Sequence, residues 1–249
     1  MSLRTLLLAA STLSATAAAG KHRLHARDWI ASDEIVGFNQ TVPDNSTGEL
    51  YLAYQPYLKV VNGCVPFPGV DAEGDTDAGL APTGASDGDC SSNTGQIYVR
   101  SNISSTSSTS STSTYPTALL YSWYMPKDEP SDGLGHRHDW EGVIIYLSDA
   151  TTISADNILA VCPSAHGGWD CSTDGYTLEG TKALIKYESI WPLDHSCGLT
   201  DVVGGTQPLV AWESLTTAAR DALQTADFDK AIVPFKDSTF DENLAKATY

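Results

Sequence analysis

Five carboxylates and two imidazoles crowd one short segment: Asp128, Glu129, Asp132, His136, His138, Asp139 and Glu141. Clustered carboxylates raise one another's pKa unless a cation neutralises them. Hard oxygen donors suit calcium, magnesium or manganese, while an imidazole leans toward a transition metal. The segment lacks the Cys/His set of a structural zinc site. A divalent cation site is therefore one reading. A second is a salt-bridged loop in which Asp and Glu pair with Lys127 and Arg137. A third is a general acid/base pair.

Which reading holds depends on the elements that carry these groups. In a strand, side chains alternate faces, so Asp139 and Glu141 point the same way, in phase with Val143 and Ile145. His138 and Trp140 share the other face, which suits a structural role for His138. His136 is out of phase with Asp139 in a continuous strand. Gly133 and Gly135 put it at a loop-to-strand junction, where the backbone can re-aim its ring. Asp128 is expected in a loop bounded by Pro126 and Pro130, folded over the same strand end.

Alternation and β-branched or aromatic content predict strands at Leu50–Val61, Gly95–Arg100, Ala118–Tyr124, Trp140–Leu147, Asn157–Cys162, Ala183–Glu188 and Leu209–Trp212. Long Gly/Pro/Asp/Ser loops separate them, especially Pro66–Ser92. No helix recurs between strands, so an antiparallel sandwich or barrel is favoured over a parallel βαβ sheet. Helices are expected at Ser214–Phe228 and after a capping-box pattern, Thr239-Phe-Asp-Glu242. The nearly pure Ser/Thr tract 102–114 buries too little apolar surface to offset its ordering entropy and reads as a loop between two strands.

The chain has 249 residues, 41% of them hydrophobic, enough for a substantial core. Its 14 Lys+Arg against 31 Asp+Glu give a net charge of −17, a field that repels nucleic acid and anionic lipid surfaces. No internal apolar run approaches the roughly 18 residues needed to span a bilayer. Arg4, the apolar run Leu6–Ala10 and the small residues Ala17–Ala19 read as a signal peptide over 1–19. Residues 20–34 read as a tail that opens on a basic stretch, Lys21–Arg27, and 35–249 as one domain. Asn39, Asn45 and Asn102 head acceptor sequences for N-glycosylation, as a secreted chain allows. The five cysteines fit up to two bridges and one leftover thiol. Cys64–Cys90 would staple the Gly/Asp-rich loop, and Cys162–Cys171 would close a short one, although Cys171–Cys197 competes for the same residue.

The run GHRHDWE (135–141) resembles the signature of the necrosis- and ethylene-inducing-like proteins, the NPP1 family of secreted plant-damaging toxins. GCVPFP (63–68), GQIYVR (95–100), YSWYMPKDEP (121–130), AHGGW (165–169), WPLDH (191–195) and QPLVAWE (207–213) resemble the family in the same order. The resemblance runs from about residue 35 to the C-terminus. It implies a mainly β, single-domain sandwich with a few peripheral helices, similar to actinoporins and fungal lectins. It implies a divalent cation, calcium or magnesium, held by Asp128, His136, Asp139 and Glu141. It implies binding to the glycosylinositol phosphorylceramide of plant plasma membranes, lysis of eudicot cells, and a plant immune receptor that recognises the Tyr121–Glu141 region. Trp191, Asp194 and His195 would help hold the terminal sugar. The additional cysteines resemble the family's subtype with an extra disulfide, and the Ser/Thr tract departs from its plainest members.

Some of these residues have a plainer reading. Trp191 would serve as core packing, and His195 as a satisfied structural hydrogen bond. His166 would stabilise its glycine-rich loop. Trp169 would be either an interfacial contact or the packing residue of a bridged loop. Three functions follow in order of preference: a secreted cytolysin without enzymatic turnover, a non-lytic lectin-like elicitor, and a metal-dependent carbohydrate-active enzyme. The last lacks a Ser-His-Asp or nucleophile-elbow pattern.

Overall fold

The computed structural model describes residues 28–103, 116–190 and 194–249. The expected leader, the first part of the tail, nearly all of the Ser/Thr tract and Trp191 lie outside the described residues. In chain order the elements are β1 (Trp29–Ile30), α1 (Ser46–Tyr54), β2 (Tyr57–Val60), β3 (Thr76–Asp77), β4 (Ile97–Ser101), β5 (Thr117–Ser131), β6 (Leu134–Leu147), β7 (Ile158–Ala165), β8 (Gly168–Trp169), β9 (Leu178–Glu179), β10 (Lys182–Ile190), β11 (Asp194–Leu199), β12 (Leu209–Ala211), α2 (Thr217–Thr225) and α3 (Phe240–Lys246).

Six strands form one sheet in the order β12-β4-β5-β6-β7-β8, and β11-β10-β2 form a second, with β9 also on β10. The long ladders β4–β5, β5–β6, β6–β7 and β10–β11 are antiparallel. Among the described strands, β1–β3, β2–β10 and β4–β12 pair in parallel. Strand β11 lies across β5, β6 and β7, which closes the sandwich. Central β5 is buried on both faces from Ala118 to Glu129: the second sheet and α1 cover the face of Tyr121, whose Oη donates to the Tyr51 carbonyl at 2.8 Å, and Phe228 packs on Tyr124 on the other. A strand covered twice reads as a continuous apolar run rather than an alternating one.

The mainly β sandwich stands as expected, with three local corrections. Leu50–Tyr54 is helical, and only Tyr57–Val60 of the expected strand is extended. Asn45 decides this: its Oδ1 accepts from Thr47 N at 2.9 Å and Gly48 N at 3.2 Å, capping α1. Pro56 then forces the chain back to extended geometry. Asp128 lies within β5 rather than in a loop. Both flanking prolines fall past Trp123, the last β5 residue paired with β4; there the loop donates to β5 instead, Phe67 N to the Tyr124 carbonyl and Leu80 N to that of Pro126, and a carbonyl is all a proline needs to offer. Finally, α3 opens where the capping-box pattern placed it, but Thr239 Oγ1 donates to the carbonyls of Val233 (2.8 Å) and Lys236 (3.3 Å) instead of capping. Two disulfides join Cys64 to Cys90 and Cys162 to Cys171, so the competing Cys171–Cys197 pairing is not used and Cys197 is a buried thiol.

The β1–β3 pair straps the N-terminal segment beneath the β5–β6 hairpin. Ser32 Oγ (2.6 Å) and Gly79 N (2.7 Å) donate to Asp77 Oδ1, and Arg137 donates to the carbonyls of Ala78 (2.9 Å) and Gly79 (2.6 Å). Burial lifts the Asp77 carboxyl to about 6 against these hydrogen bonds. A raised carboxyl pKa stabilises the fold fully below the unfolded value near 4, and that contribution is lost as pH rises through 6. Asp77→Asn removes the titration. The stability of the natural chain minus that of the variant, from urea unfolding, should fall by up to about 3 kcal/mol between pH 4 and pH 7. A pH-independent difference would show that Asp77 is not the group concerned.

Candidate functional site

The charged segment occupies the end of the β5–β6 hairpin, where Asp128 is registered on His136, Met125 on Asp139 and Trp123 on Glu141. Regular alternation would send His136 and Asp139 to opposite faces. His138, between them, adopts φ +62° and breaks the pleat, a conformation that costs roughly 1–2 kcal/mol for a residue with a Cβ. Both neighbours then line one cavity. Gly135 supplies the expected hinge: at φ +125°, a Cβ there would sit 2.0 Å from the Asp128 carbonyl oxygen.

What holds His138 in place is its own packing. The ring is buried against Trp29, Tyr124 and Phe228, with Nδ1 2.6 Å from Tyr124 Oη. Burial lowers its pKa to about 4, so it is a neutral structural histidine. Trp140 joins the same aromatic cluster through Tyr124 and Phe228.

The cavity has a volume of about 330 Å³ and is lined on the sheet side by Asp128, His136, Asp139 and Glu141. Each carboxylate is held by a donor from another strand. Asp128 Oδ1 accepts from His195 N at 3.1 Å and lies 2.6 Å from His195 Nδ1. Asp139 Oδ2 accepts from Tyr187 Oη at 2.7 Å. Glu141 accepts from Ser164 Oγ. Burial raises the Glu141 pKa well above the usual range, and the charges of Asp139 and Asp128 push it further. Burial likewise raises the Tyr187 phenol, with Asp139 adding to the effect.

His136 Nδ1 lies 2.9 Å from the His138 carbonyl. A carbonyl only accepts, so Nδ1 carries a hydrogen, and in the neutral ring Nε2 is the lone pair. That lone pair sits 3.4 Å from Asp128 Oδ2. This imidazole and carboxylate, beside two further carboxylates, are groups that could hold a hard divalent cation. As the side chains stand, no three His, Cys, Asp or Glu groups among the described residues already converge on one metal position. Water would complete the shell, as magnesium in particular allows.

The salt-bridged alternative does not account for this cluster. Lys127 Nζ is buried, bonded to Glu129 and to the Ala85 carbonyl at 2.9 Å, and Arg137 binds the carbonyls already described. Both cations are turned away from the cavity acids.

The expected sugar-contact residues fare differently from one another. Trp191 and the side chain of Asp194 lie outside the described residues. His195 is buried, stacked on Tyr187 with centroids 4.9 Å apart. It sits beneath the acids and orients Asp128. His166 and Trp169 flank the turn between β7 and β8; His166 adopts φ +53°, and half-buried Trp169 lines the cavity. Asn39 and Asn45 are exposed, and Asn102 bridges Pro116 O and Ala118 N at 2.9 Å each. Tyr187 and Ser164 were not anticipated, nor were Lys230 and Lys246, which line the cavity opposite the acids.

The Lys127–Glu129 pair offers a direct check on this hairpin. Glu129→Gln leaves a buried ammonium without its counter-charge and should cost roughly 3–5 kcal/mol in urea unfolding. The apolar double variant Lys127→Met/Glu129→Leu should recover most of that loss. A near-neutral single variant would mean that the hairpin end does not need the ion pair.

Residues 48–247 match the family described as necrosis inducing protein (NPP1). The chain is 42% identical over 224 residues to NLP effector protein 10 of Phytophthora capsici, covering 88% of this chain and 92% of that one. It resembles the solved structure of NLPPya in complex with glucosamine at 43% identity and TM-score 0.78, covering 88% and 99% of the two chains. It also resembles the non-toxic HaNLP3 protein at 33% identity and TM-score 0.79, covering 87% and 98%.

Proposed function

Because this chain belongs to the NPP1 family of necrosis-inducing proteins, we propose that it is a secreted cytolytic toxin without enzymatic turnover. Its target is the glycosylinositol phosphorylceramide of plant plasma membranes, and its effect is lysis of eudicot cells with accompanying necrosis and immunity. The observation that carries this reading is the gathering of Asp128, His136, Asp139 and Glu141 in one cavity, with Asp128 Oδ2 3.4 Å from His136 Nε2. Calcium or magnesium would be held by these four residues, with His195, Tyr187 and Ser164 fixing the carboxylates from behind. When bound, the cation supplies positive charge for sugar hydroxyl or phosphate oxygens. With that charge added to Lys230 and Lys246 on the cavity wall, a protein of net charge −17 can approach an anionic lipid. A relative binds glucosamine, which suits an acidic cavity.

Recognition by a plant receptor would take a different form. Tyr121–Glu129 is buried in β5, so an immune receptor for the Tyr121–Glu141 region would meet it as a released peptide.

A second reading, a lectin-like elicitor without lysis, is favoured by one observation. The non-toxic HaNLP3 protein superposes as well as NLPPya does, so the fold alone does not confer toxicity.

The test is dye release from vesicles of plant plasma-membrane lipid, with and without the inositol-phosphoceramide fraction, each repeated in chelator. Release should require both the glycolipid and a divalent cation. Asp139→Asn, which keeps an acceptor for Tyr187, should abolish it, and Tyr187→Phe should weaken cation binding by about tenfold. Full release by Asp139→Asn or in chelator would sink the cation model. Head-group binding without release would establish the lectin-like reading.

A further inference from the structure

Beyond the cation cavity lies a larger cleft of about 610 Å³. Gly168 and Trp169 line both spaces. The β7–β8 turn is thus a ridge between them rather than the edge of one. Strand β11 runs beneath both, with His195 in the first and Ser196 and Cys197 in the second. Both volumes fall in the range of about 300–1,000 Å³ typical of small-molecule sites. We propose that the two spaces form one extended saccharide site, in which the indole of Trp169 supports a second sugar unit beyond the one at the cation cavity. This rests on the sugar-binding reading above and deepens it: the ligand is a chain of at least two sugars.

Three features of the ridge suit a sugar ring. The indole is held in place: Trp169 Nε1 lies 3.3 Å from Asn243 Oδ1 on α3, and the Cys162–Cys171 disulfide closes the hairpin base. A pre-set platform loses little entropy when a ligand stacks on it. The space beside it is also open. A Cβ at Gly167 would meet nothing within 4 Å, and one at Gly168 only the Ala165 carbonyl at 3.6 Å. Finally, the second cleft is polar. It presents the Lys186–Glu188 ion pair, His166 and Asp170. Donors and acceptors around one aromatic face match the hydroxyls and apolar ring face of a pyranose. A lipid tail would leave those groups desolvated and unmatched.

The test is calorimetric titration with glucosamine and its β-1,4-linked dimer and trimer, at saturating divalent cation. The dimer or trimer should bind at least tenfold tighter than the monomer. Trp169→Ala should remove that gain, read as the ratio of oligomer to monomer affinity because Trp169 also lines the cation cavity. Gly168→Val keeps the indole, has room for its own side chain and fills the open space; it should also remove the gain. Equal affinity for monomer and trimer, or a gain that survives both variants, would overturn the extended site. Monomer binding lost in Asp139→Asn, with no gain from length, leaves the cation–sugar reading standing and removes only the extension. No binding across the series would overturn both.

Discussion

Three carboxylates share one cavity, and the fold has to bear their repulsion. It does so by bringing a donor to each from a different strand: His195 on β11, Tyr187 on β10 and Ser164 on β7. Two of these three strands belong to the second sheet. The sandwich therefore holds its sheets together by two unlike means. Along most of its length they meet through an apolar core, which is tolerant of small shifts. At the acidic end they meet through hydrogen bonds to charged oxygens, which are not. The polar end fixes the offset between sheets that the apolar middle leaves loose.

The hairpin end shows the same economy. Burying Lys127 against Glu129 removes a cation that would otherwise neutralise the acids, and Arg137 is spent on the carbonyls of the N-terminal strap. The left-handed His138 is retained because three aromatic rings enclose it. Close packing tightens the arrangement at two glycines. A Cβ on Gly142 would lie 2.4 Å from the Tyr121 carbonyl, and one on Gly63 would lie 2.5 Å from His195 Nε2. The second contact places the Cys64–Cys90 loop directly against the ring that orients Asp128.

The four cavity groups were legible in the sequence because they come from one hairpin and lie within a few residues of each other. Their supports were not. Tyr187 and Ser164 arrive from strands far along the chain, and nothing local to either marks it as a partner of an acid. His195 was read both as a sugar contact and as a structural hydrogen bond, but its partner Asp128 was not foreseen, since that depends on how β11 crosses the first sheet. The strands were legible from alternation, whereas Leu50–Tyr54 was read as extended from its apolar and aromatic content. The better signal was Asn45, whose position ahead of the run marked a helix start, although its sequence context drew it toward glycosylation. The pleat reversal at His138 had a trace in the sequence too: His136 and Asp139 could not share a face without one.

Cys197 carries a consequence for how such a chain is made. Its thiol is buried beside Glu141, and burial together with that charge pushes its pKa well up. Only a thiolate attacks a disulfide, so in the finished protein this sulfur is chemically silent. In the unfolded chain it is one of five thiols that could pair, and the docking of β11 on the first sheet is what withdraws it. The odd cysteine thus becomes harmless through burial rather than through a partner.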